Sequence, residues 1–545
     1  MGSNILDIAT SSLRVAKQKL EVTSHNIANV NTEGYSRQRV NANARPPQFS
    51  GAGFMGSGVK VTSIERAYDK FLTNRVRATT SSFAEVDRFY QMTSKIDNII
   101  ADPDLGVAKS MENFFNAVHD VADDPTSLPA RQTLLTEADT LTDRFHTLSG
   151  QLDAMESQIQ QETQDHVNEI NSLAEQIATL NEKIVYEVGK SQGKPPNDLL
   201  DQRDALINQL SEKIDVSPLS RPDGAVDIFI GKGHALVMGA DRSTLGLQAN
   251  PLDPDKRQIT LTNQFHTMVI DEGLSGGELG GLIQFREQVM IPTENKLGRL
   301  AAGLMVEFNQ LHKAGYDLDG NTGVDFFTMQ APEIPITQEG TGTVTASYVN
   351  IADLEASDYQ LAYDGSAYTL TRLSDQTQTT ISSFPATVDG IEIDLASPPT
   401  GPSTFLIRPT QQAAGKISLN ISDPRQFAAA QTDTSTGSIG DNSNALEMAW
   451  LESAKKMLGG TATFQDSYGQ IVAEIGTTAR SAKISRNARE VIKNQATTER
   501  ESLSGVNLDE EAANLLKFQQ AYQASAQVIA IASQTFDALL GAVRR

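Results

Sequence analysis

Cysteine is absent from the 545 residues. Its absence excludes disulfides, thiolate catalysis and thiolate-ligated metals. It also suits a chain that passes unfolded from a reducing to an oxidising compartment, where a free thiol would mispair; the plainer account is a cytosolic chain that has no use for thiols. Long apolar runs are missing too: no stretch approaches the roughly 18 residues that a membrane-spanning helix requires, so no membrane partner is predicted. The opening MGSNILDIATSSLRVAKQKL has no uninterrupted apolar core and no small-residue cleavage pattern, so a removable secretory signal is not expected. Basic clusters interleaved with aromatics are lacking in a chain of net charge -23, which disfavours nucleic acid as a partner. The seven histidines are scattered without an HExxH spacing; neither metal nor cofactor is predicted.

The strongest positive signal is a seven-residue repeat near each end. Leu6, Leu13, Leu20 and Ile27 form one series; Leu508, Leu515, Tyr522, Ile529 and Phe536 form the other. Three residues after the large ones come Ala9, Ala16, Thr23 and Val30 in the first, and Phe518, Ser525, Ala532 and Leu539 in the second. Such a repeat keeps a narrow apolar seam on one side of a helix, as in a coiled-coil strand, and two of them predict a fold whose ends lie together. The seam is thin. Five large side chains gain about 1.5 to 3 kcal/mol each on burial, while ordering costs about 1 to 2 kcal/mol per residue. The tails are therefore predicted to be disordered in the single chain and to order against neighbouring chains.

Between the ends, helical and β textures alternate. Three-and-four spacing predicts helices over residues 5–30, 68–100, 128–188, 198–214, 279–311, 445–457 and 466–503. Alternating apolar residues predict strands around Val59–Ile64, Val226–Ile230, Ile259–Leu261, Met268–Ile270, Tyr359–Tyr363, Tyr368–Leu373, Ile391–Leu395 and Phe405–Ile407, with Asp364-Gly365 as a hairpin turn. The expected architecture is an α+β multidomain chain in which a discontinuous, coiled-coil-like helical scaffold carries two inserted, mainly β modules. Its divisions are a terminal coiled-coil domain (1–45 with 504–545), a helical core (46–215 with 276–330 and 415–503), and β modules at 216–275 and 331–414.

Three segments imitate chemical sites. Gly51, Gly53 and Gly56 fit GxGxxG, but prolines precede them and a strand follows, the reverse of the dinucleotide setting. Gly273 to Gly277 fits GxSxG around Ser275; a hydrolase would need an acid and a histidine downstream, and only His312 follows. Asp317, Asp319 and Asn321 open like a calcium loop, yet Thr322 and Thr328 stand where Gly and a bidentate Glu belong. Turns are the expected role of all three, and no enzyme is predicted.

Residues 24–38, SHNIANVNTEGYSRQ, with Asn26, Asn29, Gly34 and Tyr35, resemble the N-terminal signature of the bacterial flagellar axial proteins of rod, hook and hook-associated type. Residues 505–522, including Asn507 and Leu508, resemble the matching C-terminal end. NDLLDQRD (197–204), GELGGL (277–282) and GYDLDG (315–320) strengthen the resemblance to the hook-associated branch, which covers nearly the whole chain and is weakest over 331–414. The resemblance implies a structural adaptor at the hook–filament junction, exported through the flagellar type III apparatus without a cleaved signal and located outside the cell. It also implies partners: further copies of itself, the hook protein, the next hook-associated protein, and a cognate export chaperone on the C-terminal region. The alternatives are another axial protein, hook or distal rod, and a secreted serine hydrolase using Ser275.

Overall fold

The computed structural model describes residues 2–543 apart from 50, 52, 103–105, 254–255, 330–333 and 335. Its helices in chain order are α1 (Gly2–Ala28), α2 (Lys70–Ile100), α3 (Val107–Asp123), α4 (Leu128–Lys190), α5 (Asn197–Lys213), α6 (Gly277–Phe285), α7 (Ile291–Ala314), α8 (Ala413–Lys416), α9 (Ser443–Trp450), α10 (Phe464–Ser504) and α11 (Leu508–Val543). Caps set several starts. Asp69 accepts from the backbone N–H groups of Phe71 and Leu72 at α2, Ser127 from Ala130 at α4, and Thr463 and Asp466 form a capping box at α10. Each satisfies donors that a helix start leaves free.

Helix α4 is the spine. At 63 residues it is about 95 Å long, and its apolar stripe serves two cores in succession. Leu134, Leu141, Phe145, Leu148 and Leu152 enter a first core with α2, α3, α7, α9, the start of α10 and the strands between 336 and 407. Val167, Ile170, Ala174, Ile177 and Ile184 enter a second core with α5 and the strands of 216–270. Helix α2 runs antiparallel to α10, joined by Arg75–Glu499, Asp87–Arg486 and the Tyr468 hydroxyl donating to the Ile100 carbonyl.

The segment 216–275 closes no core by itself. It supplies a four-stranded antiparallel sheet (Val216–Ser220, Val226–Ile230, His234–Met238, Asp241–Arg242) and a three-stranded one (Thr244–Ala249, Arg257–Thr262, Thr267–Val269) that complete their burial against α4 and α5. The later module, whose residues 331–333 and 335 lie outside the described set, has a five-stranded sheet in the order Ile336–Glu339, Ser403–Ile407, Tyr359–Tyr363, Tyr368–Arg372, Gln378–Ile381. The Asp364 side chain accepts from the Ser366 and Ala367 N–H groups at its hairpin turn. The two modules touch: Arg408 pairs with Asp253, and the Thr337 hydroxyl donates to the Leu252 carbonyl. Gly298 in α7 is required there, because a Cβ would strike the Thr410 carbonyl.

The sequence expectation is missed most plainly at two helices, and it assigned no strand at Gln38–Ala44, Thr244–Ala249 or Thr343–Tyr348. α3 lies where periodicity assigned nothing, yet Met111, Phe114, Phe115, Val118 and Val121 are buried along it. The helix expected over 445–457 stops at Trp450, after which turns and a Met457–Ala462 bridge take over.

Glu294 of α7 is almost fully buried, its carboxylate accepting from the Gln411 amide. Desolvation, reinforced by Glu156, Asp153 and Asp358, lifts its pKa to about 7. A raised carboxyl favours the folded state fully below the unfolded value; the gain disappears as pH rises to about 7, where the unfolded chain has ionised first. Glu294→Gln should therefore stabilise the protein more at pH 8 than at pH 4.5, by up to about 3 kcal/mol. Denaturant unfolding at the two pH values checks this; an equal effect at both would contradict it.

Candidate assembly surface

The ends do lie together, but not along the seam of large residues. α1 and α11 pack antiparallel, with Ser12 against Ser525, Lys19 over the Phe518 ring and Asn26 on Glu511: seven residues down one helix match seven up the other. Ala9, Ala16 and Thr23 are buried along the α1 side of this line, and Ser525 and Glu511 along the α11 side. The small companions make the contact because they let two backbones approach closely. The expectation of disordered tails counted only the large residues; the structure adds a small-residue interface and the polar anchors below, which hold the two helices in register. Glu511 itself stands three residues after Leu508, at a companion position the apolar reading passed over. The Leu539 side chain lies outside the described residues.

Helical geometry then fixes where the large residues go. At about 100° per residue, Leu6, Leu13, Leu20 and Ile27 fall on one side of the α1 contact line. Leu508, Leu515, Tyr522 and Ile529 fall on one side of the α11 line, and the antiparallel arrangement turns both series to the same face of the pair. Leu13, Leu20, Ile27, Leu515 and Ile529 are half-buried there. Leu6, Tyr522, Leu508 and Phe536 are exposed, the last two at 51%. The opposite flank of α1 is covered by the strands Gln38–Ala44 and Val59–Arg66: the Val59 N–H donates to the Ser11 hydroxyl, and Gly58 packs on Ile8.

The pair is anchored at one buried amide. Asn26, 1% exposed, donates to the Gln38 carbonyl (3.0 Å) and to Glu511 (3.0 Å), and accepts from the Gln38 N–H (2.9 Å) and the Tyr35 hydroxyl (2.8 Å). All four hydrogen-bonding positions of one side chain are used. Arg37 completes the node, reaching Glu511 at 2.8 Å and Glu510 at 2.7 Å. Burial, with Asp198, Asp201 and Glu511 nearby, raises the Tyr35 hydroxyl pKa well above the usual phenol value, so Tyr35 stays a donor. Asn29 bonds back to the His25 carbonyl and ends α1. Gly34 takes φ +79° with Ala205 close by, and Asn507 caps α11 through the Asp509 N–H.

A third segment holds this node to the trunk. Asp201 accepts from the Ser36 N–H and from Arg66, Asp198 from the Gln38 amide, and Asn197 donates to the Ile64 carbonyl. Asp204 takes Arg66 and Arg77. The NDLLDQRD motif is thus the socket for the N-terminal signature. Sequence reasoning quoted both motifs without joining them; an excess of buried-type acids at i, i+3 and i+6 on a short helix was the available signal.

The imitations of chemical sites are turns. The strands Gln48–Phe49 and Phe54–Met55 flank the glycine run as a hairpin. Ser275 lies in the tight turn before α6, its carbonyl accepting from the Asp215 N–H. His312 is fully buried and cannot serve it: Nε2 accepts from the Ala428 N–H, Nδ1 donates to the Val324 carbonyl, and burial depresses its pKa to about 4. Asp317 accepts from the Asp319 and Asn321 N–H groups, closing the apparent calcium loop on itself.

Asn26→Asp would place a second carboxylate against Glu511 and remove two donors. The expected cost is about 3 kcal/mol, read as roughly hundredfold faster amide exchange in α1 and α11 with the trunk helices unaffected. Unchanged exchange in both terminal helices would refute the anchoring role.

Comparison with known proteins supplies the family. A model of the flagellar hook-associated protein FlgK helical domain matches residues 93–327, and one of the hook-associated protein 1 D2-like domain matches 336–409. A flagella basal body rod protein model matches 6–35, and the C-terminal model of the flagellar basal body rod FlgEFG proteins matches 500–542. Flagellar hook-associated protein 1 of Salmonella typhimurium is 32% identical, covering 99% of both chains; that of Escherichia coli K12 is 31% identical with the same coverage. The solved flagellar hook junction protein FlgK from Burkholderia pseudomallei superposes with a TM-score of 0.73 at 24% identity, over 79% of this chain and 100% of that one, a likeness of fold. The chain belongs to the flagellar hook-associated protein 1 family and is a structural component of the bacterial flagellum at the hook–filament junction.

Proposed function

We propose that many copies of this chain add to the distal end of the hook and form the layer on which the filament is attached. The terminal pair lines the inner tube, the helical trunk surrounds it and the two β modules point outward. The observation that carries this reading is the face on which both heptad series stand half-covered. It costs apolar exposure in a single chain and is relieved when neighbours cover it. The same reading assigns further copies, the hook protein and the next hook-associated protein as partners, and a cognate export chaperone to the C-terminal region before assembly. Export runs unfolded through the flagellar type III apparatus, for which a cysteine-free chain is suited. The role is mechanical, without catalysis, and the four-part division given above remains our proposal for the domains.

Cells lacking the chain should carry hooks without filaments, and a chain missing residues 508–545 should stay soluble and folded through both cores but fail to restore filaments. Electron microscopy of complemented cells checks this. Filaments grown on the truncated chain would overturn the reading.

A further inference from the structure

The terminal pair has two apolar surfaces on opposite flanks, and the second is carried by the strands Gln48–Phe49 and Phe54–Met55. The hairpin between the strands that cover α1 holds Phe49 and Phe54 edge-to-face, with ring centroids 5.5 Å apart. They are 70% and 76% exposed, and Met55 beside them is 49% exposed. The hairpin springs from Gly58 and Val59, which rest on Ile8 and Ser11; its root is therefore on the flank of α1 away from the leucine series. An aromatic pair held to solvent on a short hairpin gains nothing for the single chain.

Charge identifies what covers it. The protein carries net charge -23, so two copies repel overall, and a lateral contact between uncharged surfaces adds least to that repulsion. Residues 46–59, the whole hairpin region, contain no charged residue, and neither do residues 518–536 of α11. At the level of Ser11, set by the Ser12–Ser525 contact, the leucine face presents Leu13 and Ile529. A knob rooted on one flank and, on the other, an apolar face whose α11 half is uncharged, with root and face at the same level of the pair, make a heterologous contact that repeats from copy to copy around a layer.

We propose that the paired strands Gln48–Phe49 and Phe54–Met55 are an interlocking arm that seats Phe49 and Phe54 on the leucine face, near Leu13 and Ile529, of the neighbouring copy. This rests on the self-assembly reading above and adds the direction and the residues of the lateral contact. The chain's lack of cysteine makes the test clean. In flagella built from a Phe54→Cys, Ile529→Cys chain, oxidation should give multimers in steps of one chain mass, while each single substitution gives monomer. Phe54→Cys with Leu13→Cys provides an independent pair. Filament-bearing flagella in which both pairs stay monomeric would overturn the arm contact while leaving the junction role intact. A cross-link of Phe54→Cys to a different flagellar protein would also overturn it, since the occupant would then not be a second copy.

Discussion

One buried amide holds together parts of the chain that are almost five hundred residues apart. Asn26 joins the end of α1 to the start of α11 through Glu511, and to the returning strand through Gln38. Arg37 balances the Glu511 charge, without which a carboxylate 2% exposed would be costly. Because Ser36 and Gln38 are in turn held by Asp201 and Asp198, the terminal pair and the trunk share one polar hinge plate. Large apolar residues contribute little to this join. Specific hydrogen bonding fixes the register, and small residues then let the two helices close along their length.

That division of labour explains an economy in the sequence. If the leucines faced inward, the two ends would form a stable hairpin with a polar exterior and nothing left to offer a neighbour. With Ala9, Ala16, Thr23 and Ser525 inside, the leucine series stays at the margin, half-covered in one molecule and available to the next. The trunk follows the opposite rule. Its cores are dominated by large residues with almost no exposure, among them Phe114, Phe308, Phe326, Phe327 and Phe427, whose rings contact one another at 4.8–6.2 Å. One part is built to be complete alone, the other to be completed by assembly.

Much of this was legible beforehand, for definite reasons. α4 follows from a three-and-four periodicity strong enough to run through Gly150, with Pro129 confined to its first turn, and the strand Tyr359–Tyr363 from alternation uninterrupted by Gly or Pro. α3 was lost because two Asp-Pro steps, at 102–103 and 124–125, read as punctuation and masked a helix of only 17 residues. The terminal repeats were visible, but which member of each pair faced inward was not: a heptad has two candidate positions, and size alone favours the wrong one when a polar anchor brings the backbones close. The acids of the socket at 197–204 were readable as a group, but their partners, Ser36, Gln38 and Arg66, were not, because they are 135 to 165 residues away.

The claim on which these relations depend is that the single chain already carries its two ends as a registered, antiparallel pair. Spin labels at Lys17→Cys and Gln520→Cys, introduced into the cysteine-free chain and measured by pulsed dipolar spectroscopy on the dilute, unassembled protein, test it directly. One short, narrow distance distribution is the predicted result; a broad distribution extending to long distances would show that the ends are independent before assembly and would contradict the account.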